Sequence, residues 1–200
     1  MNRTDSLFKR AAEVGDKILD LTRQNKNIIL VSHLDADGII SASIIAKAVY
    51  RKRGRLAVRI VSDFDKNIIN ILKEDAYDFH IICDLAGGLT SQLETILGNS
   101  WMTIDHHQIP EEEIKMDNVF NIWQFGYDGG KDICSAGLAY LIAREIDETN
   151  VDLSWLAVVA AVADRQDQNE GRSLGSLNKS IVEEAEHAGF LNVSKDLIFY

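Results

Sequence analysis

The sequence predicts an α/β fold: a mostly parallel β-sheet flanked by helices, with a helical C-terminal portion. Three observations lead there. Short β-branched runs alternate with longer helical stretches over about residues 1–125, the pattern of βαβ units. The strand-like runs are continuously apolar, as in a sheet covered on both faces, not alternating as in a half-exposed one. After Gly129-Gly130 no further strand is evident, and three helical stretches fill about residues 130–190.

Taken in order, the first helix covers about Asp5 to Arg23, with Leu7, Ala11, Val14, Ile18 and Leu21 on one face. Asn27 to His33 reads as a strand, Gly38 to Tyr50 as a helix and Leu56 to Ser62 as a second strand. A short helix over Lys66 to Lys73 leads to a third strand, Phe79 to Cys83. Thr90 to Leu97 is helical, Trp101 to Ile104 is the fourth strand, and Val119 to Ile122 is a candidate fifth. Ile133 to Ile146, Leu153 to Ala163 and Leu177 to Ala188 carry helical periodicity. The chain reads as one domain, 1–200, without repeats or low-complexity linkers. It finishes on the apolar cluster Leu197-Ile198-Phe199-Tyr200, read either as a final packed tail or as the end of a piece of a longer protein.

Composition narrows the class. At 46% hydrophobic and 26% charged residues, the 200-residue chain can bury a sizeable core. No apolar run approaches the roughly 20 residues of a membrane span. The opening Met1-Asn2-Arg3-Thr4-Asp5 lacks the apolar centre of a signal peptide, so a cytoplasmic protein is expected. Cys83 and Cys134 lie in apolar surroundings with no paired spacing, and read as reduced, buried thiols. The net charge of −10 argues against a general nucleic-acid binder. Carboxylates gathered around divalent cations would add to that charge without the same implication. The basic run Lys47, Arg51, Lys52, Arg53 and Arg55 reads as a solvated helix end.

Three of the predicted strands run into acidic or imidazole side chains. The first leads to His33-Leu34-Asp35-Ala36-Asp37-Gly38, the third to Asp84, and the fourth to Asp105-His106-His107. Ligands of open α/β sheets bind beyond the carboxyl ends of the strands, so these groups would share one crevice. Singly, each has a plainer reading. Asp35 or Asp37 would cap the following helix, Asp84 a turn before Gly87-Gly88, and the histidines would face solvent. Together they form a set of mutually repelling carboxylates whose simplest resolution is one or two bound cations. Oxygen and imidazole donors without thiolate suit Mn2+, Mg2+, Zn2+ or iron, the carboxylate-rich set leaning to Mn2+. Asp164, at the end of the apolar stretch Leu156 to Ala163, is placed to join them.

The ordered set Asp35-Ala36-Asp37-Gly38, Asp84, Asp105-His106-His107 and Asp164 resembles the four motifs of the DHH phosphoesterase superfamily, over nearly the whole chain. The segments Ser32 to Gly38, Cys134 to Tyr140 and Ala163 to Asp167 resemble its archaeal RecJ-like group, related to single-strand-specific exonucleases. One residue, Leu34, separates His33 from Asp35. The pyrophosphatase and nanoRNA-hydrolase branches place three there, so the departure favours the RecJ-like branch. The resemblance implies an α/β catalytic domain and two divalent ions, Mn2+ before Mg2+, activating a water that attacks phosphorus. It implies that His33 and Asp35 bind one ion, that Asp37, His106 and Asp164 bind the other, and that Asp84 bridges them. It implies that His107 contacts the scissile phosphate and that Asp105 orients a histidine. Single-stranded DNA or RNA is the implied substrate, and a GINS-type replication partner is implied by some relatives. Alternatives are a small phosphoester (a short oligonucleotide, a cyclic dinucleotide or pyrophosphate) or a replication scaffold. The superfamily's second, C-terminal substrate-binding domain, with its glycine- and histidine-rich motif, has no counterpart after Asp164, so a piece with weak activity alone is expected.

Overall fold

A computed structural model describes residues 2–85 and 89–194. Strands β1 (Asn27–His33), β2 (Arg55–Val61), β3 (Phe79–Cys83), β4 (Trp101–Asp105) and β5 (Val119–Asn121) form one sheet in the order β2-β1-β3-β4-β5. Every neighbouring pair is parallel. The helices are α1 (Arg3–Arg23), α2 (Ala36–Arg51), α3 (Lys66–Glu74), α4 (Thr90–Leu97), α5 (Glu111–Ile114), α6 (Ser135–Ile146), α7 (Ser154–Ala163) and α8 (Ser176–His187). The predicted α/β fold with a helical C-terminal portion is therefore the fold observed. Gly87-Gly88 and the Leu197-Ile198-Phe199-Tyr200 cluster lie outside the described residues.

Helices α1, α2 and α6 bury one face of the sheet, against Ile28, Leu30, Ile81 and Ile104. On the other face, Ile69 and Leu72 of α3 and Leu93 of α4 pack near Ile29, Val31, Ile82 and Trp101. Each such side chain contributes about 1.5–3 kcal/mol through the apolar surface it buries. A one-residue slip would turn each strand's buried set to the opposite face, so the packing fixes register and with it the height of the polar strand ends. Strand β2 departs from the expectation of burial on both faces. It stands at the sheet edge, and Val58 and Ile60 remain exposed.

The topology places the crevice. From β1 the chain steps to one side for β2, then returns past β1 to β3 and continues outward. The order reverses between β1 and β3, and the crossover helices α2 and α3 consequently lie on opposite faces. A reversal of this kind opens a cleft at the carboxyl ends of the two strands.

Two other sequence expectations resolve here. Cys83 and Cys134 are buried and unbonded, as anticipated. The basic run is more than a solvated helix end. Arg51 donates to Asn150 and to Asp152 at 2.6 and 2.7 Å, and Lys52 to Asp147 at 2.6 Å, tying α2 to the turn after α6. Among the described residues, no helix is long and apolar enough to cross a membrane.

Candidate metal centre

His33 ends β1, and Asp35 starts α2. One oxygen of Asp35, Oδ1, caps that helix by accepting the Gly38 amide at 2.9 Å; the other, Oδ2, lies 2.8 Å from His33 Nδ1. Capping, the plainer reading of Asp35, thus occupies half of its carboxylate and leaves the rest for a second role. Gly38 permits the tight junction, because a Cβ there would sit 2.4 Å from the His33 carbonyl oxygen.

Asp37 does not cap its own helix. Its two oxygens accept the amides of Ser135 and Ala136, each at 2.9 Å, at the N-terminus of α6. The residue preceding α6 is Cys134, which makes no side-chain cap. A carboxylate from α2 therefore satisfies orphan donors of α6 and complements its dipole. The same turn reaches Asp84 at the end of β3, where Ser135 Oγ donates to Oδ1 at 3.1 Å. Asp84 is 2% exposed and has a φ of +57°, a conformation aspartate tolerates better than most residues.

Strand β4 delivers Asp105, His106 and His107. Buried Asp105 accepts the His107 amide at 3.0 Å and lies 2.8 Å from its Nδ1. His106 is buried, not solvent-facing, with Nδ1 2.7 Å from the Gly129 carbonyl. With Nδ1–H donated there, Nε2 is the nitrogen left to coordinate. It lies 3.4 Å from Asp84 Oδ1 and 3.6 Å from Asp37 Oδ2. Behind the histidines, Trp123 Nε1 donates to the His106 carbonyl and Asn121 Nδ2 to that of His107, both at 2.9 Å. Asp164 ends α7; its Oδ2 accepts from Gln166 Nε2 at 2.9 Å and stands 3.8 Å from His106 Nδ1.

The eight residues singled out from the sequence thus come together at one end of the sheet. Seven fall into three groups whose donor atoms lie within 4.8 Å of one another: His33, Asp35 and Asp84; Asp84, His106 and His107; and Asp37, His106 and Asp164. Asp105 stands behind His107. His80, by contrast, is structural, its ring bridging the carbonyls of Ser100 and Leu72.

Electrostatics reflect this crowding. Burial and the neighbouring Asp84 charge push Asp37 up to about 6. Burial also raises Asp84 and Asp164. For Asp35 burial acts upward too, but the Gly38 amide and His33 outweigh it and hold the carboxyl low. Burial pulls His106 down, yet Asp84 beside it and the charges of Asp37 and Asp105 carry it up to about 10. The hydrogen bond to Asp105 raises His107.

A divalent cation fits these residues on two independent grounds. Asp84 Oδ2 and His106 Nε2 are fully buried and have no hydrogen-bond partner; an unpaired buried polar atom is costly unless a ligand satisfies it. The donors are carboxylate oxygens and imidazole nitrogens, the set that suits divalent ions such as Mn2+, Mg2+ and Zn2+.

Three contributors escaped the sequence reading: Ser135, Gly129 and Gln166. The first holds Asp37 and Asp84. Gly129 accepts from His106, and a Cβ there would lie 1.8 Å from the His106 carbonyl oxygen. Gln166, buried, links Asp164 to Gly129. They act through main-chain groups or through hydrogen bonds to ligands, so no spacing rule marks them.

Fold and donors together define a parallel α/β domain with an acid–histidine cluster at its strand ends that could hold a metal ion. The chain belongs to the DHH family: residues 27–163 match the DHH family, N-terminal domain. An uncharacterised protein of Methanocaldococcus jannaschii is 30% identical over 207 residues, which cover 100% of this chain and 45% of that protein. The chain thus spans less than half the length of that relative. In fold it is similar to an exonuclease RecJ bound to manganese, with a TM-score of 0.72 and 19% identity, covering 90% of this chain and 52% of that one. RecJ of Thermus thermophilus in complex with Mn2+ gives 0.70 and 19%, with coverage of 92% and 30%. CDC45 of Entamoeba histolytica gives 0.61 and 16%, with 94% and 37%.

Proposed function

We propose that this chain carries the catalytic metal centre of a phosphodiesterase acting on single-stranded nucleic acid. One observation bears most of the weight: Asp84 and His106 each belong to two donor groups, and each keeps a buried atom without a partner. His33, Asp35 and Asp84 would hold one ion; Asp37, His106 and Asp164, with Asp84 shared, would hold the other. Mn2+ is favoured for this carboxylate-rich set, with Mg2+ second. Bound divalent ions supply charge neutralisation for phosphoryl oxygens and acidify water.

The chain's own residues do the rest. The N-terminus of α6 fixes Asp37 and Asp84 so that they need not reorganise. Asp105 holds Nδ1–H of His107, which leaves Nε2 for a phosphoryl oxygen. Asp105 raises the His107 pKa, which favours the protonated ring and with it a charge-assisted hydrogen bond to the phosphate. His107 is thus the phosphate contact and Asp105 its positioning residue.

Two other readings have specific support. The net charge of −10 and the modest size of the cavities at the centre, about 340 and 510 Å3, favour a small phosphoester. The fold is also shared with CDC45, and a replication scaffold with a GINS-type partner is the third reading. Retention of the whole donor set weighs against a purely structural role.

Parent and Asp84→Ala are to be compared on a long single strand, a dinucleotide and pyrophosphate, with Mn2+, Mg2+ or EDTA. Metal-dependent cleavage of the strand, lost in Asp84→Ala, is expected. Full activity in the variant would remove Asp84 from the centre. Preference for the dinucleotide or pyrophosphate would favour the small-substrate reading, and absence of both hydrolysis and Mn2+ binding the scaffold.

A further inference from the structure

A polyanionic substrate needs cationic partners, and the acidic crevice offers few. Two cavities open on the metal centre. One, of about 340 Å3, is lined by His33, Asp35, Asp84 and His107 with residues 62–64 and Leu85, and among the described residues no lysine or arginine lines it. The other, of about 510 Å3, is lined by Asp164, Arg165, Asp167, Gln168 and Arg172. Asp164 belongs both to this cavity and to the donor set. Of the two arginines, Arg172 is paired: Nε and Nη2 both lie 2.7 Å from Asp167 Oδ2. Among the described residues the Arg165 guanidinium makes neither an ion pair nor a hydrogen bond, and the residue is exposed.

Arg165 is also held firmly at its root. The amide of Arg165 bonds to the Val162 carbonyl at 3.0 Å, and that of Gln166 to the Ala161 carbonyl at 2.9 Å. This pair of bonds closes a helix with a left-handed residue, a place where glycine is favoured. Here the left-handed residue is Arg165, with φ +60°. The next side chain, Gln166, is clamped between Gly129, Asp164 and Asn178. A fixed backbone beside a proposed metal ligand thus carries a long, unpaired guanidinium, whose planar donors match a phosphate.

We propose that Arg165 is a substrate-binding residue that holds a backbone phosphate flanking the scissile one, so that the site takes an oligonucleotide and not an isolated phosphoester. This rests on the phosphodiesterase reading above. The phosphate at the centre faces His107 and the donor set; its neighbour along the strand enters the cavity of Arg165.

Arg165→Gly tests this without a folding ambiguity, since glycine suits the left-handed position and should leave the melting temperature unchanged or raised. Binding is measured by fluorescence anisotropy in Mn2+ buffer, with a labelled phosphorothioate hexathymidylate, which keeps the backbone charge and resists cleavage. The single-phosphate dinucleotide is the second probe. The variant should bind the hexamer about tenfold more weakly, as for loss of one charge-assisted contact. Its slope of log affinity against log salt should fall by about 0.7, while the dinucleotide changes less than about twofold. Unchanged hexamer affinity, or an equal loss for both probes, would overturn the assignment. Hydrolysis by the parent is scored separately. An inactive parent with Arg165-dependent binding would sink the phosphodiesterase reading alone, and an active parent with Arg165-independent binding the present inference alone.

Discussion

Replacing Gly129 by alanine should damage the metal centre without touching any proposed ligand. The new Cβ would stand 1.8 Å from the His106 carbonyl oxygen and 2.8 Å from its carbonyl carbon. Both are main-chain atoms at a strand end, so the loop must retreat by more than an ångström. That movement breaks two buried bonds to the Gly129 carbonyl, from His106 Nδ1 and from Gln166 Nε2, each now 2.7 Å. At about 1–3 kcal/mol for each buried group left unpaired, the loss is roughly 2–6 kcal/mol. For a domain of this size that corresponds to a fall in melting temperature of about 4–24 °C. His106 also loses the acceptor that fixes its tautomer, so Mn2+ affinity should fall about 10- to 100-fold. Gly130→Ala is the control, because its Cβ would meet only the flexible Asp128 carboxylate, at 3.3 Å. Thermal denaturation and calorimetric Mn2+ titration of both variants provide the measurement. A Gly129→Ala protein that melts and binds Mn2+ like the Gly130→Ala protein would refute the packing argument.

Other outcomes follow from the same geometry. Asp105→Asn should keep Mn2+ binding, lower hydrolysis about 100-fold, and move the alkaline limb of the activity profile to lower pH, since Asp105 is what raises His107; an unmoved limb would count against the positioning role. Burial and like charge raise Asp37 to about 6 and also raise Asp84. Metal uptake should therefore displace protons from these carboxylates and from His106, which its acidic neighbours carry up to about 10, with affinity rising as pH rises; titrations in buffers of different ionisation enthalpy should report proton release, and none would speak against these groups as ligands. Far from the centre, Arg51 holds the Asp152 carboxyl low. A carboxyl with a depressed folded pKa stabilises fully above its unfolded value of about 3.9 and loses that contribution as pH falls through the folded one. Asp152→Asn should therefore be less stable than the parent at pH 7, by up to about 1 kcal/mol for a partly exposed pair, and chemical denaturation should show the gap closing below about pH 4.

Strands and long helices were legible to within a few residues because their apolar periodicity is strong. Phe79–Cys83 and Thr90–Leu97 lie where the sequence put them. Sheet order is not legible as a whole, although Arg59, a charge in the middle of β2, is a local sign of an edge strand. The apolar run Val119 to Ile122 suggests one more strand residue than forms. Ile122–Phe125 is a 3-10 turn, and Asn121 with Gln124 three residues later forms its capping box, a pairing the apolar run concealed. At the centre, the converging side chains were visible because carboxylates after apolar strands are conspicuous. The roles of Asp35 and Asp37 were less so. Both sit beside one helix start, yet one caps that helix and the other caps α6, nearly a hundred residues away.

The donors arrive in the crevice from four separate stretches of chain between His33 and Asp164, an arrangement that governs when an ion can act during folding. No local segment holds a complete set, so an ion finds its full coordination only after β1, β3, β4 and the end of α7 have docked. Contacts that form after the folding barrier slow unfolding and leave the folding rate nearly unchanged. An ion present at about 100 times its dissociation constant adds about 2.7 kcal/mol. That stabilisation would extend the lifetime of the native protein about 100-fold, making the centre a latch against unfolding as well as a place for chemistry.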